Sequence, residues 1–226
     1  MPTKEIVMKK TVIGAIALLG AMAVTSVSAK ETISAVGSSS VTPLMEVFSE
    51  TYMKTNSNVF IEVQGPGSSA GVKAAKNGSA DLGMSSRNLK DSEKEPALKE
   101  LTVALDGIAV VVNPKNDLQA LTAEQVTAIY KGDITNWKEV GGADKPIVAI
   151  TRDTASGTRG AFEDIMKLKK KISGKKVSAI SQRAQVANGN GALKTMVASN
   201  PYAIGYISLG TAVSYTHLTL PTTNSV

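Results

Sequence analysis

The chain has 226 residues, 42% of them apolar and only 4% aromatic; that is enough for one large domain or two small ones with a Val/Ile/Leu/Ala core, and it excludes a disordered chain. It contains no Cys and one His, which removes disulfides, thiol catalysis and most transition-metal sites, so no cofactor is expected. The formal charge of +6 falls to +4 without residues 1–29, where 22 basic and 18 acidic residues remain, too mild and diffuse to mark a nucleic-acid binder.

Residues 1–29 read as a secretory signal. Met8-Lys9-Lys10 supplies a positive start, Thr11 to Val24 is uncharged and largely apolar, and Val27-Ser28-Ala29 is a small-residue cleavage site. The mature chain then begins at Lys30, and residues 1–7 are an upstream extension. The apolar run is short for a membrane span, and no Cys follows it to carry a lipid. A bacterial periplasm is the expected location.

Periodicity predicts strands at 32–36, 58–64, 101–112, 146–151, 175–181 and 203–208. It predicts helices at 41–55, 68–77, 122–130, 157–169 and 189–199, with a short one near 91–99. Strand alternating with helix implies an α/β fold with largely parallel pairing. A break at Asn113-Pro114-Lys115-Asn116 and a second long strand at 203–208 mark two crossings between two lobes. The expected division is 30–112 for the first lobe, 113–203 for the second, and 204–211 returning to the first. Lys167 to Lys176 holds six lysines and reads as a solvated helix end and loop, the alternative being a patch for a polyanion or a membrane. Residues 212–226 carry no charge, lack periodicity and resemble translated adapter sequence; they read as a non-native tail on a chain truncated near Gly210, the alternative being a natural terminal strand. The only histidine, His217, lies there and is given no role.

Three Ser/Gly clusters each follow an apolar stretch and open a predicted helix: Gly37-Ser38-Ser39-Ser40, Gly65-Pro66-Gly67-Ser68-Ser69-Ala70-Gly71, and Arg152-Asp153-Thr154-Ala155-Ser156-Gly157-Thr158. A helix start offers unpaired N–H groups and a positive dipole end, and small residues let an anion reach the backbone. One such turn is only an N-cap; three, with an arginine, read as a site for a small oxyanion. Ser39, Ser40, Ser68, Ser69, Ser156 and Thr158 can supply neutral donors and Arg152 a bidentate charge-assisted pair.

Enzymatic readings are weaker. Gly67-Ser68-Ser69-Ala70-Gly71 matches the nucleophile elbow G-x-S-x-G, but no histidine outside the tail can serve as its base. Gly189-Asn190-Gly191-Ala192-Leu193-Lys194-Thr195 lacks the spacing of a phosphate loop and reads as a capped helix start. Asp81 and Asp153 are a possible acid–base pair that nothing in the sequence brings together. No enzyme is expected.

Five segments together closely resemble the periplasmic phosphate-binding proteins of the phosphate-specific ABC importer: Gly-Ser-Ser-Ser-Val-Thr-Pro-Leu at 37–44, Gly-Pro-Gly-Ser-Ser-Ala-Gly at 65–71, Asp-Leu-Gly-Met-Ser-Ser-Arg at 81–87, Ile-Tyr-Lys-Gly-Asp-Ile-Thr-Asn-Trp at 129–137 and Arg-Asp-Thr-Ala-Ser-Gly-Thr at 152–158. The likeness spans residues 30–211 in order. It implies a two-lobed type II periplasmic binding fold with the ligand cleft between the lobes and the last part of the first lobe missing. It also implies a monomer that captures inorganic phosphate and delivers it to a membrane permease. Carried over by position, Ser39 or Ser40, the Val41 backbone, Ser68, Arg152, Ser156, the Gly157 N–H and Thr158 contact the ion, joined by Ser85, Ser86 and Arg87. Many members carry an aspartate where this chain has Ser86, an acceptor for the proton of hydrogen phosphate that fully ionised sulfate lacks. Asp106 is the candidate replacement, its alternative being a cap at the hinge; Arg87 is either ligand or partner to a carboxylate. Trp137 is expected to pack the second lobe. The rival readings are capture of sulfate, molybdate or tungstate, and a phosphatase-like or adhesion role on the same fold.

Overall fold

The computed structural model describes residues 30–213. The signal at 1–29 and all but the first two residues of the tail read at 212–226, His217 included, lie outside them. The first lobe is a three-stranded parallel sheet, ordered β2-β1-β3, of β1 (Glu31–Gly37), β2 (Val59–Gln64) and β3 (Leu82–Met84). Helix α1 (Thr42–Thr55) follows β1, and α2 (Ser68–Lys76) follows β2. The connections are crossovers between parallel strands, so both helix starts lie at the carboxyl edge of the sheet.

The second lobe is a four-stranded mixed sheet, ordered β4-β9-β5-β8, of β4 (Ile108–Val112), β5 (Val148–Arg152), β8 (Gln185–Ala187) and β9 (Ala203–Ser208). Both its faces are covered, which is why β4 and β9 are nearly continuous apolar runs. Val110, Val112, Ile204 and Tyr206 face α3 (Ala123–Lys131) and α4 (Gly157–Ile165), while Ala109, Val111, Ala203 and Ile207 face α5 (Gly189–Ser199). Phe162 stacks on Tyr206 at 3.9 Å with Tyr130 edge-on to both. Trp137 is buried in the same cluster, its indole N–H donating to the Tyr202 carbonyl at 3.0 Å.

Several expectations change. Within 101–112 only Ile108–Val112 is strand; 101–107 is irregular, with Leu101, Val103 and Leu105 all at least half exposed. Their alternation finds no neighbouring strand, and a strand exists only where its backbone has a partner. The strands read as crossings pair with each other: β9 is antiparallel to β4 and parallel to β5, so by strand pairing 108–112 and 203–208 both lie in the second sheet. Helix 157–169 stops at Ile165. Lys167 turns left-handed at φ 52, its N–H bonds to the Asp164 carbonyl and that of Leu168 to Glu163, a Schellman ending that drops Leu168, fully buried, into the core. The lysine run is then a hairpin of β6 (Lys169–Ile172) and β7 (Lys175–Ser178). Its two-residue turn, Ser173 at φ 48 and Gly174 at φ 79, has the double positive φ of type I′. A five-residue helix, α6 (Leu209–Val213), follows β9.

Candidate functional site

Four helix starts meet where the lobes touch. At the first, the Ser38 carbonyl accepts the Val41 and Thr42 N–H groups at 3.1 and 3.0 Å and its hydroxyl accepts the Ser40 N–H at 3.1 Å. This tight turn aims the Ser39 and Ser40 hydroxyls at the second lobe. It also engages the Val41 N–H, one of the donors expected from the sequence, with the Ser38 carbonyl. At the second, Ser68 opens α2 fully buried, its hydroxyl accepting the Ser86 N–H at 3.1 Å with the Ser86 Oγ at 3.4 Å.

At the third, Ser156 caps α4 by accepting the Arg159 N–H at 3.1 Å. Gly157 begins the helix, where an added Cβ would lie 2.2 Å from Ser68 Oγ and 2.7 Å from Ser86 Oγ; only glycine lets the starts of α2 and α4 abut. The Ser69 N–H donates to the Ala155 carbonyl at 3.0 Å across the same junction. At the fourth, Asn190 in the first turn of α5 is 3% exposed. No side chain caps α1, α2 or α5, which leaves their dipole ends open to a charged group.

Side chains of the two lobes are hydrogen-bonded in a ring. Arg152, 2% exposed at the end of β5, donates from Nη2 to Ser39 Oγ at 3.2 Å and from Nη1 to Asn190 Oδ1 at 2.6 Å. Asn190 Nδ2 donates to Ser40 Oγ at 3.0 Å and to Thr211 Oγ1 at 3.3 Å, and Ser40 Oγ lies 2.9 Å from Thr158 Oγ1. The guanidinium has one carboxylate near it, Asp153, 4.0 Å from Nη2, and its buried Nε–H has no partner. Burial pulls its pKa down, opposed by the Asp153 charge. A buried cation this poorly matched is costly to keep. Its environment is complementary to an anion.

The remaining expected residues fall at the edge. The Ser85 hydroxyl donates to the Arg87 carbonyl at 2.8 Å, a local turn. Arg87 is clamped by Glu93 at 2.7 and 2.8 Å and donates to Ser69 Oγ at 3.2 Å, so its charge is already neutralised within its lobe. Asp106 is exposed; its Oδ1 accepts the Gly107 and Gly210 N–H groups at 2.9 and 3.3 Å. It ties the loops at the head of β4 and the foot of β9 and is not brought to the ring. Asp81 is held by the Ser34 N–H and hydroxyl, and Asp153 by the Ala155 N–H, so the possible acid–base pair is not assembled. Ser68 is hydrogen-bonded to another serine, not to a base. Among the described residues no group of His, Cys, Asp or Glu could hold a metal ion. Asn190 was missed by sequence reasoning, although Gly189-Asn190-Gly191 has the same small, polar make-up as the other three turns.

The chain as a whole is similar to several known proteins. A structure with bound phosphate from Clostridium perfringens, described as a phosphate ABC transporter substrate-binding protein, is 41% identical with a TM-score of 0.75, over 84% of this chain and 74% of that one. An ABC-type phosphate transport receptor from Vibrio cholerae is 42% identical with a TM-score of 0.65, over 84% and 78%. The phosphate-binding protein PstS of Borreliella burgdorferi is 32% identical over 176 residues, 78% of this chain and 63% of its own length. The chain thus spans a little under two thirds of that curated relative. The PBP superfamily domain matches residues 23–224, and the chain belongs to that superfamily.

Proposed function

We propose that this chain captures inorganic phosphate between its lobes and hands it to the membrane permease of a phosphate ABC importer, acting outside the cytoplasm as a monomer and without catalysing a reaction. The observation that carries the reading is Arg152: a buried, incompletely paired guanidinium among Ser39, Ser40, Thr158 and Asn190, beside helix starts that favour an anion. A tetrahedral oxyanion would take over the donors that now bond to one another. Ser68, Ser86 and the Gly157 N–H lie at the junction beside them, and the kinship to phosphate-binding proteins supports the same ion. The test is calorimetric titration of the protein with phosphate. Saturable binding that Arg152→Met abolishes is expected; no binding up to millimolar phosphate would sink the reading.

A second reading, capture of sulfate or another fully ionised oxyanion, is favoured by one observation. Among the described residues no carboxylate is hydrogen-bonded to a ring hydroxyl, and Ser86 and Asp106 supply no such acceptor to the ring. Rejection of sulfate by an unpaired buried acceptor therefore has no visible source. Sulfate added to the same titration separates the two: displacement of phosphate at comparable concentration favours the broader specificity, and indifference favours phosphate alone.

A further inference from the structure

Charge is distributed unevenly over this chain. Residues 166–184 hold seven basic side chains and no acidic one, whereas the rest of the chain after residue 29 has 15 basic and 18 acidic residues. Five of the seven sit on the β6–β7 hairpin. There Lys171 lies directly opposite Lys176, a like-charge pair that weakens a ribbon. Of the hairpin lysines only Lys169 has an ion-pair partner among the described residues, Asp164. A short two-stranded ribbon carrying such repulsion is poorly explained by stability alone.

Alternation along the strands places Lys169, Lys171, Lys176 and Ser178 on one face. Lys169, Lys176 and Ser178 line a cavity of about 900 Å³ whose other walls include Ser69, Arg87 and Lys90 of the first lobe and Ser156 and Arg159 of the second. Ser69 and Ser156 are the chain neighbours of Ser68 and Gly157. The basic ribbon therefore overhangs a vestibule that opens beside the ring. Arg87, Arg159 and Lys169 in its walls are matched by Glu93, Glu163 and Asp164, which leaves Lys90 and the hairpin's Lys176 as the wall lysines without a salt bridge among the described residues, with Lys171 beside Lys176 on the same face.

We infer that the β6–β7 hairpin is an electrostatic guide for small oxyanions: its lysines draw the ion into the vestibule and raise the rate of capture without contacting it in the ring. The inference rests on the ring being an oxyanion site. The lining carries five basic side chains against two acidic ones, Glu163 and Asp164, and a cleft of net positive charge with low-dielectric walls focuses its field on an incoming anion. The range is about 10 Å at 0.1 M salt, comparable to the vestibule itself.

The chain has no cysteine, so Asn88→Cys, exposed on the vestibule wall, gives a unique site for a coumarin reporter. Phosphate association would be followed by stopped flow at 10 and 300 mM ionic strength, in the labelled parent and in K170Q/K171Q/K175Q/K176Q. An Arg variant at the same four positions retains the charge. The expected result is an association rate about tenfold lower for the Gln variant at low salt, the lower end of measured steering. That gap should close at high salt, with dissociation unchanged and the Arg variant like the parent. Equal association rates at low salt would overturn the inference while leaving the ring's function intact. A slowed Gln variant whose dissociation also accelerates would overturn it as well, by making the lysines ligands. Absence of phosphate binding to the parent by calorimetry would remove the oxyanion site and this inference with it.

Discussion

Arg152 gives the site its sign, and its burial separates function from stability. Removing a buried charge that is left incompletely paired relieves a desolvation cost, while its loss takes away the one cation an ion would meet. Arg152→Met is therefore expected to lower phosphate affinity at least about 100-fold, the 2–5 kcal/mol of a truncated buried charge pair. The thermal midpoint without phosphate should hold or rise; a fall of several degrees would mean that the guanidinium serves the core instead. At Gly157 the constraint is space. Gly157→Ala puts a methyl against the Ser68 and Ser86 hydroxyls and should weaken phosphate binding about tenfold or more through overpacking of 1–3 kcal/mol, measured by titration. Ser68, Ser156, Thr158 and Arg152 were legible in the sequence because each sits at a strand-to-helix turn whose purpose is local. Asn190 was not, since its turn lacks a serine and its role comes from a residue 38 positions away. For Asp106 the sequence left two readings open, and the contacts of the hinge-cap reading could not be seen there because one partner, Gly210, is 104 positions distant.

Secondary-structure elements were readable in proportion to their length. Helices α1, α2, α3 and α5 lie within a residue or so of the periodic pattern, whereas β3 and β8, three residues each, are too short to show alternation and went unread. The end of α4 was missed because a lysine, not a glycine, adopts the left-handed residue of its Schellman ending. Two close-packed elements offer tests. Helix α2 lies against β1 at Gly71, where a Cβ would stand 2.3 Å from the Val36 carbonyl and 2.5 Å from Gly37 Cα. Backbone cannot retreat as a side chain can, so Gly71→Ala should destabilise the chain by about 2–3 kcal/mol in denaturant unfolding. The 3-10 turn at Asp91–Glu93 is fastened by Arg87, whose hydrogen bonds hold the Glu93 carboxyl down at about 2 from an ordinary 4.5. With the folded value below the unfolded one, this stabilisation is complete above about pH 4.5 and is lost as pH falls toward 2. Glu93→Gln should cost about 1–3 kcal/mol at pH 7, and its gap from the parent should close across that acid range.

The two sheets and the ring between them should respond to ligand together. A ligand that binds only the folded chain stabilises it by mass action, about 2.7 kcal/mol at a hundredfold excess over its dissociation constant. Phosphate should therefore raise the unfolding midpoint of the parent and not that of Arg152→Met. An unmoved parent midpoint, alongside a cooperative transition, would contradict capture of the ion. Largely parallel pairing was legible from the alternation of elements and two lobes from the break at 113–116, but the membership of β4 and β9 was not, because hydrophobic runs do not record which neighbour a strand will choose. That membership has a mechanical consequence. Strands β4 and β9 lie side by side over five residue pairs, and their ends are tied by the Leu209 N–H to the Gly107 carbonyl and by the Gly210 N–H to Asp106. A doubled ply of this kind resists torsion, so the segment 85–107 that leads from β3 to β4 enters the second sheet at a stiffened edge rather than at a loose end.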